Sequence, residues 1–128
     1  MNANELREGL NQFYGTETWT VFSPLFPKVL LTEGALWLAE SAGAYWLMDA
    51  IASYQPDALK DDSLREMQFW TLTVHECGKA TLICERDKGD VVFTQEIEHT
   101  DFPLPEIKLW VGPLGEEGKY TILLPSEY

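Results

Sequence analysis

The chain has 128 residues and 45% hydrophobic content, enough for one substantial core but not for two, so we predict a single domain over residues 1–128. Lys and Arg total 9 against 21 Asp and Glu, and the formal net charge of -12 excludes direct nucleic-acid binding, which requires a basic stripe. The 2 cysteines are too few for a disulfide framework, and the N-terminus lacks the basic and apolar segments of a signal peptide. We therefore expect a cytoplasmic protein.

The first part of the chain predicts short elements. Asn2 or Asn4 can cap a helix that continues to Phe13. Residues 16–22 have the β-branched and aromatic side chains of a short strand. Residues 29–31 predict a second short strand, and the prolines between the two strands require an extended loop.

Residues 32–55 form the longest apolar stretch and predict the central helical segment. Thr32 is a good N-cap for this segment. Gly43 costs about 1 kcal/mol relative to Ala in a helix interior, so the segment is either two helices or one kinked helix, with the break near Gly43. A membrane span is excluded because Glu40 and Asp49 lie inside it, and each carboxylate would cost about 2.5 to 3.5 kcal/mol near a bilayer centre.

The second half of the chain changes to the alternating pattern of β-strands. The pattern predicts strands over residues 67–76, 79–87, 91–98, 106–111 and 119–124. Short connections that contain glycine or proline separate these strands, and such connections join antiparallel neighbours. The polar segment from Pro56 to Ser63 is predicted as a loop. We therefore predict an α+β fold, with N-terminal helices, including a central helix pair, packed on one face of a C-terminal antiparallel meander sheet of about five strands.

Three sequence strings carry a resemblance to a known family. They are residues 32–55 (TEGALWLAESAGAYWLMDAIASYQ), 100–111 (TDFPLPEIKLWV) and 123–128 (LLPSEY). In this order they resemble an uncharacterised bacterial family of small domains of unknown function, over residues 12–128. That family has no established activity, cofactor or catalytic residue, so the resemblance implies none here. Residues 22–28 (FSPLFPK) depart from the family pattern, which is more basic there.

Four residues are candidates for a binding surface. Tyr45, Asp49 and Ser53 recur every fourth residue and share one helix face, where a carboxylate can bind a ligand or act as a base. We favour the alternative that this face is solvated or hydrogen-bonded, because ionised Asp is rarely buried without partners. Trp110 is predicted on the sheet face opposite Leu109, where it would suit a protein interface or a dimer contact. A helix or loop that covers this side of the sheet is an equally good prediction.

The sequence predicts no metal site, no cofactor and no catalytic residue. His75, Cys77, Cys84 and His99 are all metal-ligand types, but their spacing matches no standard zinc site. Alternation places Cys84 in the core, where a free cysteine behaves as a small hydrophobic residue. The chain has no phosphate-binding loop, dinucleotide fingerprint or nucleophile elbow.

These observations favour a non-enzymatic interaction protein with an acidic and aromatic surface. We expect it to bind a protein partner or to self-associate, with no direct contact to nucleic acid or membrane. A narrower version is mimicry of nucleic-acid charge, which rests on the net charge alone. The alternative is a small-molecule binding or enzymatic domain with a pocket between the central helix and the sheet, lined by Tyr45, Asp49 and Ser53.

Overall fold

A computed structural model describes residues 2–128 and has an α+β architecture. Over these residues the helices are α1 Ala3–Leu10, α2 Glu33–Ser41, α3 Tyr45–Ser53, α4 Gln55–Ala58 and α5 Asp62–Glu66. The strands are β1 Thr20–Val21, β2 Val29–Leu31, β3 Gln68–Val74, β4 Ala80–Glu85, β5 Val91–Ile97, β6 Glu106–Gly112 and β7 Tyr120–Leu123, followed by a 3-10 turn at Pro125–Glu127.

The strands over the described residues form one 7-stranded sheet in the order β1-β2-β7-β6-β3-β4-β5. The prediction of a meander with about five strands is therefore wrong in its finer part. The two short N-terminal strands join the sheet, because β2 pairs in parallel with β7 and places Val29 beside Tyr120. The other pairings are antiparallel.

Only part of the sheet is a simple meander. Glycine turns connect β3, β4 and β5, and Gly78 and Gly89 adopt positive φ values of 84° and 85°, which glycine reaches without steric cost. Residues 98–105 then carry the chain past β4 and β3, so that β6 pairs with the far side of β3. This connection is longer than a hairpin turn, and the sequence pattern does not fix which edge it reaches.

The helical predictions are largely confirmed. The Asn2 side chain caps α1, and the Thr32 hydroxyl caps α2 by accepting a hydrogen bond from the Ala35 N–H at 3.2 Å. The central segment breaks at Gly43, whose φ of 61° separates α2 from α3. The loop predicted from Pro56 to Ser63 is wrong, because it contains most of α4 and the start of α5. None of the helices within residues 2–128 has the length and apolar character needed to cross a membrane.

The main core lies between the helices and one face of the sheet. Leu47 and Ile51 of α3 are fully buried against Trp70, Leu72 and Leu82. The space between these side chains leaves no volume for a water molecule. The sheet face that carries Cys84 and Leu109, which alternation predicts to be the core face, is therefore the face that the helices cover.

The opposite face of the sheet is fully covered near β2 and β7 and partly covered at Trp110 of β6. Leu30 and Leu123 are fully buried there although they point away from the helices. The Thr121 hydroxyl donates a hydrogen bond to the Leu114 carbonyl at 2.6 Å, which holds the loop between β6 and β7 over this part of the sheet. Within residues 2–128, no helix covers the part of this face formed by β3, β4 and β6, where Thr73, Thr81 and Lys108 are exposed or partly buried.

Candidate functional site

The predicted binding face of α3 is exposed to solvent. Tyr45, Asp49 and Ser53 all lie on the outer side of the helix. The Ser53 hydroxyl donates to the Ala50 carbonyl at 2.7 Å, a local bond within the helix. The Tyr45 hydroxyl donates to Glu40 at 3.4 Å, and partial burial together with the nearby Glu40 carboxylate raises the pKa of Tyr45.

The described part of the chain does not form the predicted pocket between the central helix and the sheet that Tyr45, Asp49 and Ser53 would line. Leu47 and Ile51 fill the contact with the sheet, so the three polar side chains point away from it. Periodicity correctly places the three residues on one face of α3. The helix instead packs on the sheet with the neighbouring, more apolar face that carries Leu47 and Ile51.

Trp110 is the centre of an aromatic cluster on the sheet face that lacks helices. Its ring packs edge-on against Phe69 at 5.2 Å between centroids and against Tyr128 at 5.6 Å. Phe69 is the cross-strand partner of Trp110, and Tyr128 is brought to it by the final 3-10 turn. Trp110 is thus half-buried, because the C-terminal segment covers one side of it and leaves the other side open.

A shallow depression of about 450 Å³ adjoins this cluster. Phe69, Thr71 and Trp110 contribute to its floor, and the charged side chains around it are Glu85, Asp87, Lys88 and Lys108. We call this surface the Trp110 face. Glu96 and Glu106 project from the same side of β5 and β6, so carboxylates outnumber ammonium groups on this side of the sheet.

A chain of hydrogen bonds near the edge of this face resembles a catalytic relay but is not arranged as one. The Thr81 hydroxyl donates to Glu96 at 3.1 Å and lies 3.0 Å from His75 Nε2. Since the single hydroxyl proton goes to Glu96, the Thr81 oxygen accepts from His75 Nε2–H. A histidine that donates to the hydroxyl cannot remove its proton, and all three groups are open to solvent or only partly covered.

The cysteines have different environments. Cys77 is exposed at the turn between β3 and β4, whereas Cys84 is buried in the core. Burial raises the pKa of the Cys84 thiol to about 12, so this thiol stays neutral at physiological pH. Within residues 2–128, no group of three or more His, Cys, Asp or Glu side chains could hold a metal ion.

Two buried polar clusters were missed by sequence reasoning. Gln55 and Gln68 exchange side-chain hydrogen bonds of 2.9 and 2.8 Å, and Trp70 Nε1 donates to Gln68 at 2.9 Å. The buried Glu127 carboxylate accepts from the Thr32 hydroxyl and from the N–H of Gly34. Each of these donors and acceptors already has a hydrogen-bond partner inside the protein, so we interpret both clusters as stabilising the fold.

A second concave surface was also missed. Residues 25–29, the end of α3 with α4, and Gly118 with Tyr120 line an apolar groove of about 440 Å³. We call it the 25–29 groove. The signal available in the sequence was the pair Leu25 and Phe26 between two prolines, an apolar pair in a segment that cannot be a buried helix.

Comparison with known families assigns the chain without assigning an activity. Residues 4–128 match DUF6876, a family of unknown function, and the chain belongs to this family. The resemblance seen in the sequence is thereby confirmed. The chain matches no curated protein and no solved structure.

Proposed function

We propose that this domain is a non-enzymatic cytoplasmic interaction module that binds a basic protein with its Trp110 face. The observation that carries the proposal is the open aromatic cluster of Trp110 and Phe69 on a part of the sheet without helices. Tryptophan and tyrosine are enriched at the centres of protein interfaces because they bury large areas with little loss of side-chain entropy.

The charges on this side of the sheet favour a basic partner. Glu85 and Asp87 line the depression together with Lys88 and Lys108, so its own charges balance. Glu96 and Glu106 lie further along the same face and make its total charge negative. The net charge of -12 also produces a negative electrostatic field around the whole protein. This field accelerates association with positively charged proteins and repels nucleic acids. Such a field depends on ionic strength, with a screening length of about 8 Å at physiological salt.

The proposal is tested by affinity purification at low and high salt with matched baits. Thr71→Arg adds a positive charge at the centre of the Trp110 face, and Ser53→Arg adds the same charge on the exposed side of α3. Trp110→Ala removes the central ring. Circular dichroism establishes that each bait is folded.

We expect a basic protein that is captured at low salt, released at high salt, lost with Thr71→Arg and Trp110→Ala, and retained with Ser53→Arg. Equal capture by Thr71→Arg and Ser53→Arg would remove the Trp110 face from the proposal. If no basic partner is captured and light scattering shows a dimer that Thr71→Arg dissociates, the face mediates self-association instead.

Mimicry of nucleic-acid charge is the narrower version, supported by the net charge. It predicts that duplex DNA and this domain compete for one site on the captured protein. A ternary complex of partner, domain and DNA would contradict mimicry and leave protein binding intact.

A further inference from the structure

We infer that the 25–29 groove binds a small monocarboxylate with an apolar body. This inference is independent of the Trp110 face, because the groove lies on the helical side of the sheet: Tyr120 points to the same side as the buried Ile122. Its volume of about 440 Å³ falls in the range of sites that hold small molecules, ~300–1,000 Å³.

The walls of the groove are apolar and come from distant parts of the chain. Phe26 and Val29 line the groove from residues 25–29, and Ala52 and Leu59 line it from α3 and from the end of α4. Leu25 stands at the rim with 81% of its surface exposed, so an apolar ligand in the groove would cover a side chain that water now contacts.

The wall formed by residues 25–29 is held in place before any ligand arrives. Phe26 stacks on Phe22 with 6.2 Å between ring centroids. The Leu25 N–H donates to the Ser23 hydroxyl at 3.2 Å, and the Val29 N–H donates to the Phe26 carbonyl at 3.1 Å. Because these bonds order the segment, binding does not require the entropy loss of fixing a loop.

The polar groups of the groove determine the chemistry of the ligand. Gln55 is not available, because its amide is bonded to Gln68 and to the Ile51 carbonyl. Lys28 is the one charged residue that lines the groove, and its ammonium forms no ion pair with any carboxylate of residues 2–128. In a chain with 21 Asp and Glu, a cation without an ion pair beside an apolar groove fits an external carboxylate.

The net charge of the protein limits the ligand to a single negative charge. A polyanion such as a nucleotide would be repelled by the field of a molecule of charge -12, and one ammonium would not neutralise it. A monocarboxylate needs only Lys28 for its head group, and its apolar body supplies the remaining binding free energy through contact with Phe26 and Leu59.

The test is a titration of the full chain with sodium octanoate, followed through amide resonances by NMR, with n-octanol as the uncharged counterpart. We expect octanoate to shift the resonances of Val29, Ala52, Leu59 and Gly118. Lys28→Gln should weaken octanoate by about fivefold and leave n-octanol unchanged, as expected for loss of a partly solvated ion pair. Lys79→Gln is the matched control, because Lys79 is also exposed but lies in the turn before β4.

Leu25→Ser provides a second test that does not depend on charge. Leu25 is exposed, so its replacement leaves the core intact, and it should weaken octanoate and n-octanol alike. The inference is overturned if octanoate shifts resonances outside the groove only, if Lys28→Gln and Lys79→Gln have equal effects, or if n-octanol binds as tightly as octanoate. None of these results bears on capture of a basic protein by the Trp110 face.

Discussion

The Glu127 carboxylate connects the last turn of the chain to the first turn of α2, where it accepts a hydrogen bond from the Thr32 hydroxyl at 2.5 Å. Its two oxygens also accept from the N–H of Gly34 and of Leu124, both at 3.0 Å. A carboxylate at a helix N-terminus is favoured by the helix dipole and by the N–H groups that lack helical partners. The C-terminal segment is thereby fixed beside Trp110, which Tyr128 contacts.

Replacing Glu127 by Gln should destabilise the protein by about 2 kcal/mol, since charge-assisted hydrogen bonds are lost in a buried setting. Glutamine keeps one acceptor oxygen, and its amide nitrogen is a donor, so the variant loses either the bond from Gly34 to one carboxylate oxygen or the bonds from Thr32 and Leu124 to the other. Urea unfolding measures the change. Glu117→Gln is the control, because Glu117 is exposed and should change the free energy of unfolding by less than about 0.5 kcal/mol. Equal effects of the two substitutions would contradict a stabilising role for Glu127.

Gly34→Ala should destabilise the protein although alanine is the better helix former. A Cβ at this position would lie 2.6 Å from both Glu127 Oε1 and Leu124 Cδ1, and hydrogen bonds hold the former in place. Overpacking of this kind costs about 1–3 kcal/mol, more than the gain of up to about 1 kcal/mol in helix propensity. Gly15→Ala is the control, because nothing lies within 4 Å of its added Cβ.

The same substitution also tests the connection itself. Gly34→Ala and Glu127→Gln disturb one contact, so the double variant should lose less stability than the sum of the single variants. Additive free energies of unfolding would show that the two residues act independently.

The strands and helices that depend on local pattern could be predicted from the sequence, whereas their long-range pairing could not. Local pattern located β3 to β7, most clearly β3 and β4, in which buried side chains alternate with more exposed ones. The Thr32 cap and the Gly43 break also act within a few residues. The pairing of Val29 with Tyr120 joins distant segments that share no local signal. The strand order therefore emerges only from tertiary packing.

The short helices α4 and α5 show a different limit. Their signals are present, since Pro56 lies in the first turn of α4 and the Asp61 side chain accepts from the N–H of Ser63 and of Leu64. Helices of this length are unstable alone, and burial of Leu64 stabilises α5. The 25–29 groove could not be predicted from the sequence either, because its two walls come from segments that meet only in the folded chain.

The buried glutamines should behave as one unit. Gln55→Met and Gln68→Met each leave the other amide without its partner, which costs about 1–3 kcal/mol. The double variant removes both unpaired amides and should be more stable than the sum of the single losses predicts. Urea unfolding of the four proteins measures the coupling. A coupling free energy of zero would contradict reciprocal hydrogen bonding between the two glutamines. The double variant should still be less stable than the wild type, because Trp70 Nε1 no longer has an acceptor.

Cys84 should make the stability of the protein fall at alkaline pH. Burial raises its pKa from 9.0 to about 12, so between these values the unfolded thiol has lost a proton that the folded thiol keeps. The unfolded state then binds fewer protons than the folded state, and the contribution of Cys84 is complete below pH 9 and decreases as the pH rises towards 12. Urea unfolding of the wild type and of Cys84→Ala at several pH values isolates this contribution, because the other titrating groups are common to both proteins. The stability difference between the wild type and Cys84→Ala should shrink above pH 9.

Thiol labelling of the native protein tests the same burial in a second way. At pH 8 the reagent should modify the exposed Cys77 and spare Cys84. A difference that stays constant with pH, or equal labelling of the two thiols, would contradict the assignment of Cys84 to a water-excluded core.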